Sequence, residues 1–110
     1  MRKYTKPSKI LSTAADLFEA GEIGWTKGYY ARTNEGEMVP YTSRNAKSFC
    51  SIGIIYRLHK HLDKDNITRS FLNKILDRSI IEWNDDKNRT KKQVIKVFRK
   101  AAKLAEQNGK

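Results

Sequence analysis

The chain of 110 residues has a single cysteine, Cys50, so no disulfide can close within it, and that fits a reducing compartment. It has no apolar run long enough to span a bilayer: the longest, around residues 49–58, is short and interrupted. Its first residues, MRKYTKPSK, lack the apolar h-region of a signal peptide. These absences together lead us to expect a cytoplasmic protein, in a bacterium or an infected host cell, with no membrane partner. Phosphate-loop, dinucleotide-fingerprint and hydrolase-elbow motifs are all missing. Carboxylates are scarce: 12 Asp+Glu stand against 23 Lys+Arg, a net charge of +11.

The cations that remain are unevenly placed. Residues 1–55 carry 8 cations and 5 acids, whereas residues 56–110 carry 15 and 7, so the net charge rises from +3 to +8. Residues 87–103 contain eight cations and no acid. A surface of this kind attracts nucleic acid or an acidic protein surface. The length fits one domain over residues 1–110, with flexible ends at 1–7 and 106–110. An apolar fraction of 38% implies a thin core, but 11 aromatics and many Ile and Leu residues argue for a folded domain.

Periodicity gives an α+β fold, predominantly helical, with about four helices and one short β-hairpin near residues 28–39. The first helix, 8–20, starts at a Ser8 cap, buries Ile10, Leu11, Ala14, Leu17 and Phe18, and stops at Gly21. The hairpin runs from Tyr29 and Tyr30 through the turn Asn34-Glu35-Gly36 to Met38-Val39, and Pro40 ends it. A second helix is expected over 44–62 behind a Ser43 cap, with Phe49, Ile52, Ile55, Tyr56 and Leu62 at helical spacing. Gly53, in its middle, suggests close approach of another backbone. A third helix, 67–79, buries Phe71, Leu72, Ile75 and Leu76, and a long loop covers 80–89. The last helix begins at Thr90, which with Gln93 has capping-box spacing, and buries Val94, Val97, Phe98, Ala101 and Ala105.

The polar stretch WNDDKNRT, residues 83–90, invites several chemistries. Catalysis by Asp85 and Asp86 is disfavoured, because adjacent loop carboxylates diverge and no His lies nearby in sequence. The stretch lacks the alternating oxygens and glycine of a calcium loop. His59, His61, Asp63 and Asp65 make a weak metal set, and solvated histidines at a helix end are the stronger reading. Cys50, among Phe49, Ile52 and Gly53, reads as a buried core residue. We therefore expect no catalytic residue, no metal and no cofactor. Tyr29, Tyr30 and Arg32 could stack on bases or pack on the helices. Trp25 and Trp83 read as core cover, each needing a partner for its indole N–H.

Three segments carry a resemblance: Trp25-Thr26-Lys27-Gly28-Tyr29-Tyr30-Ala31-Arg32, Cys50-Ser51-Ile52-Gly53, and Trp83-Asn84-Asp85 with Arg89-Thr90 and Val94. The chain resembles a family of small bacterial and phage proteins described only as a domain of unknown function, with W-T-x-G-x-x-A-R, C-x-x-G-A and W-N-D-x-x-x-R-T-x-x-x-V patterns. The resemblance implies a compact, mostly helical domain with an embedded hairpin and transfers no activity. This chain departs at Ile54, where the family tends to alanine, and it looks more basic than typical members.

We expect Trp83, Asn84, Asp85, Arg89 and Thr90 to form a structural latch: Asp85 accepting from Arg89, Asn84 serving loop backbone, and Trp83 covering both. The best functional feature is the cationic stripe of the last helix. Arg89, Lys91, Lys92, Lys96, Arg99, Lys100 and Lys103 are the candidates for contact with nucleic acid, and Arg69, Lys74 and Arg78 could extend the surface. The first expectation is a small, basic, non-enzymatic nucleic-acid-binding protein. Two alternatives stand beside it: a phage-type inhibitor of an acidic host-defence complex, and a small-ligand or enzymatic site near Cys50, Trp83 and Asp85.

Overall fold

A computed structural model of the chain describes residues 1–61 and 65–110. The first helix, α1, spans Pro7–Ala20. Proline at N1 has its φ preset for the helix and sacrifices no intrahelical hydrogen bond there. The expected Ser8 cap is thereby displaced: Lys6 holds the cap position without a side-chain bond, and Ser8 is buried inside the helix. The stop at Gly21 is where the sequence puts it, with the glycine N–H donating to the Phe18 carbonyl at 3.2 Å.

The hairpin is present but belongs to a larger sheet. Strands β1 (Gly24–Trp25), β2 (Ala31–Arg32), β3 (Met38–Val39) and β4 (Ser48–Phe49) form one mixed sheet in the order β1-β4-β2-β3. β2 pairs antiparallel with β3, and β4 lies antiparallel to β2 and parallel to β1. Tyr29 and Tyr30 lie before β2 rather than in it. Two-residue strands carry too little alternation to register as strands in sequence.

The expected second helix, 44–62, is replaced by a shorter one. Ser43 does not cap it; its Oγ accepts from the Asn45 N–H at 3.1 Å in a local turn. Residues 48 and 49 join the sheet, and α2 runs only over Ser51–Leu58. Its cap is Cys50, whose Sγ accepts from the Gly53 N–H at 3.3 Å. The Leu62 end of the expected helix and the Asp63 ligand lie outside the described residues, as does the side chain of Asp65. His59, expected solvated, is buried, and its Nδ1 accepts from the His61 N–H.

Helix α3 covers Asp65–Asn73, ending short of the expected residue 79. The expected 80–89 loop is instead largely a further helix, α4, Ile80–Asp85. Ser79 starts it as a reciprocal cap, since its Oγ accepts from the Glu82 N–H and donates to Glu82 Oε1, both at 3.1 Å. Helix α5, Lys91–Gln107, begins as expected with the Thr90–Gln93 capping box.

The fold is therefore α+β, with five helices and a small four-stranded sheet among the described residues. α5 lies chiefly against α1. Phe18 and Phe98 meet edge to face with ring centroids 6.2 Å apart, and Val94, Ala101 and Ala105 fill in beside them. Each fully buried Phe, Leu or Ile in this core contributes roughly 1.5–3 kcal/mol over its exposed state. The expected close approach at Gly53 is also found. A Cβ there would fall inside the shell of the Tyr30 carbonyl oxygen, so only glycine lets α2 lie on the 28–30 segment.

Candidate functional site

Residue 84 stands at the meeting point of the sheet, α2 and α4. Asn84 is in the last turn of α4 and 1% exposed, so each of its polar atoms must find a partner inside the protein. Its Oδ1 accepts from Trp25 Nε1 at 2.7 Å, from the Ser51 N–H at 3.0 Å and from Ser51 Oγ at 2.7 Å. Its Nδ2 donates to the Thr26 carbonyl at 3.1 Å and to Asp85 Oδ1 at 2.9 Å. Asp85 Oδ1 also accepts from the Gly28 N–H at 3.0 Å. Gly28 has φ of 80°, a left-handed conformation that glycine adopts without strain. One amide thus ties β1, the loop after it and the first turn of α2 to α4.

Trp83 and Arg89 form the other half of this node. Trp83 is buried, and the Arg89 guanidinium lies 4.0 Å from its ring centroid. Arg89 Nε donates to the Trp83 carbonyl at 2.8 Å, and Nη1 donates to Gln93 Oε1 at 3.3 Å. The same Gln93 oxygen accepts from the Thr90 N–H in the capping box. Here the expected arrangement needs correcting. Arg89 does not neutralise Asp85; it stacks on Trp83 and joins the end of α4 to the start of α5. The planar guanidinium can offer a face to the indole and edges to two acceptors at once, whereas a carboxylate partner would have to draw it away.

Asp86 is the carboxylate that finds a cation. Arg78 Nη2 donates to its Oδ2 at 2.7 Å, and the Asn88 N–H donates to its Oδ1 at 2.9 Å. The backbone bond from Asn88, followed by the bond from Arg78, holds this carboxyl below its ordinary pKa. Lys27 Nζ donates to the Asp86 carbonyl at 2.6 Å and lies 5.3 Å from the Trp25 ring centroid. Arg32 is also engaged internally, donating to the Lys27 and Gly36 carbonyls.

Three partners in this node lie in the segments that carry the family resemblance, but the sequence assigns them no contact with it. Ser51 gives both its N–H and its hydroxyl to Asn84, Gly28 anchors Asp85, and Lys27 closes over the loop. Trp25 and Gly28 share a quoted segment, but nothing in its spacing says that the segment faces residue 84.

A cleft of about 140 Å³ opens beside the node, walled by Tyr29, Tyr30, Cys50, Ile52, Ile81 and Asp85. The Cys50 thiol is pushed above its ordinary pKa by burial, with the nearby Asp85 charge acting the same way and the Gly53 and Ile52 backbone bonds opposing. It is therefore a protonated, capping thiol, a poor nucleophile at neutral pH.

The cationic stripe lies elsewhere, on α5. Lys92, Lys96, Lys100 and Lys103 are exposed and share one side of the helix. Lys91 is exposed in the first turn, about a third of a turn away in direction. Arg99 is exposed as well but is committed to α1: Nη1 pairs with Asp16 at 3.0 Å and Nη2 with Glu19 at 2.6 Å. Those carboxylates raise its pKa and offset its charge. Arg89, counted in the stripe from sequence, is half-buried on Trp83. No helix among the described residues is long and apolar enough to cross a membrane. No group of three or more His, Cys, Asp or Glu among them could hold a metal ion.

The three segments that carry the family resemblance are those that meet at residue 84. A family model matches residues 2–104, nearly the whole chain. The chain belongs to DUF6197, a family of unknown function. No curated protein and no solved structure matches it. Membership in DUF6197 fixes no reaction, so function rests on the two surfaces just described.

Proposed function

We propose that this DUF6197 member is a non-enzymatic nucleic-acid-binding protein that lays the lysine face of α5 along a phosphate backbone. The observation that carries the reading is the exposed set Lys92, Lys96, Lys100 and Lys103, within a stretch, 87–103, that contains no acid. These residues cover about 16 Å along the helix axis. A duplex presents one phosphate charge per ~1.7 Å of its length, so all four lysines can meet phosphate at once. Such contacts supply affinity without sequence readout, because lysine heads act as mobile point charges.

The test is fluorescence anisotropy of labelled duplex DNA and single-stranded RNA at two salt concentrations. The comparison protein carries Lys92→Glu, Lys96→Glu, Lys100→Glu and Lys103→Glu. Arg99 is left intact, since reversing it would break the pairs to Asp16 and Glu19 and disturb helix packing. Binding that weakens with salt and disappears in the variant supports the proposal. No binding by the wild type at low salt overturns it and turns attention to an acidic protein partner, captured through the same lysines.

A further inference from the structure

The cleft beside residue 84 plays no part in the lysine-face reading, and its chemistry is different. We propose that it is a small-ligand site for a flat, single-ring group bearing N–H donors, such as an aromatic amidine or an aminopyrimidine.

Size sets the first limit. The cleft has about 140 Å³ of space. That is close to the ~150 Å³ cavity known to admit benzene, so the space matches one ring. The walls set the second. Ile52, Ile80 and Ile81 line it with Tyr29 and Tyr30, surfaces that suit the faces of a ring. Six large apolar or aromatic side chains stand exposed among the described residues, and three of them, Tyr29, Tyr30 and Ile81, line this one cleft. Exposed apolar groups gathered around a concavity mark a contact surface; scattered ones do not.

Asp85 sets the polarity. It borders the cleft, is exposed, and belongs to none of the ion pairs among the described residues. Its Oδ1 already accepts from Gly28 and Asn84, while no described residue donates to Oδ2. Four cations of the neighbouring segments are engaged elsewhere: Arg78 and Lys27 on Asp86, Arg89 on Trp83, and Arg32 on the Lys27 and Gly36 carbonyls. A carboxylate oxygen with spare acceptor capacity beside an apolar wall selects a donor and rejects an anion. The bonds from Gly28 and Asn84 also hold Asp85 in place before any ligand arrives, which lowers the ordering cost of binding.

The experiment is an amide chemical-shift titration of the full chain with benzamidine, 2-aminopyrimidine and benzoate. Benzamidine and 2-aminopyrimidine give saturable shifts at Gly28, Tyr29, Ile81 and Asp85, and benzoate binds at least about tenfold more weakly. Asp85→Asn retains a carbonyl oxygen for Gly28 and Asn84 but removes the charge, and it weakens benzamidine by about tenfold. Ile81→Lys alters an exposed wall residue outside the core, so it leaves the fold intact and weakens both donors. The lysine reversal on α5 leaves all of these affinities unchanged, which separates this proposal from the nucleic-acid reading. Equal binding of benzoate, shifts confined to other residues, no saturable shift at millimolar probe, or unchanged affinity in Ile81→Lys overturns it.

Discussion

The node around Asn84 and the lysine face of α5 are built on opposite terms. In the node every polar atom of a buried amide is matched, and each partner comes from a different element. On the lysine face the side chains stand in water, and the one cation with strong partners, Arg99, is tied back to α1. A satisfied buried network is worth little net energy per bond but is expensive to leave half made. An exposed charge contributes little to stability and is free to meet a partner. Substitutions in the node should therefore act on folding, and substitutions on the face on binding.

The largest effect is expected from Asn84→Ala, which strands Trp25 Nε1 and both donors of Ser51. We expect a loss of about 4 kcal/mol in urea denaturation, from orphaned donors at ~1–3 kcal/mol each. A loss under about 1 kcal/mol would mean that water replaces the amide and the node is not a fastening.

Gly53→Ala comes next, at about 3 kcal/mol, because the added methyl meets backbone oxygen and not a movable side chain. If Gly53→Ala were neutral, the contact between α2 and the 28–30 segment would have to be loose. Arg89→Lys is expected to cost about 1.5–2 kcal/mol, since an ammonium cannot stack on Trp83 and also bond its carbonyl and Gln93. Equal stability with lysine would show that only the charge matters there.

The smallest effect is at Cys50. Burial raises its folded pKa, so its contribution is intact below the ordinary thiol pKa of about 8.5 and declines as pH rises through the folded value. Cys50→Ser keeps an acceptor for the Gly53 N–H but removes this titration. Thermal melts should therefore fall more steeply above about pH 8.5 for the wild type than for the serine variant. Parallel curves would exclude a buried thiol as the titrating group.

The parts legible in sequence were those set by local rules. α1 and its Gly21 stop follow from helical periodicity, and α5 follows from the Thr90–Gln93 box, because both signals lie within a few residues of the structure they specify. The S-x-x-E spacing of Ser79 and Glu82 was there to be read and would have turned the 80–89 loop into α4, although only the serine half of the box forms, with the Glu82 N–H donating to Ser79 Oγ. β1 and β4 had no such signal. They are two residues long, and the run through Phe49 and Ile52 fits a helix as well as a strand. In the candidate sites, WND and Arg89 were found as a group, but Arg89 was given the wrong partner. Adjacency in sequence suggested a charge pair, and the choice between carboxylate and indole depends on where α4 turns. Ser51, Gly28 and the acids facing Arg99 come from distant chain, and spacing along one sequence does not encode them.

The division between a face that binds and a node that folds is tested most directly by the salt dependence of duplex binding, measured on wild type and on the four-lysine reversal with urea denaturation of each alongside. The account predicts a log K against log salt slope of about −3.6 for the wild type, near −0.9 for each of four phosphates met, with binding lost in the variant and its unfolding midpoint nearly unchanged. A flat salt dependence, or a variant that binds as tightly as wild type, would contradict it.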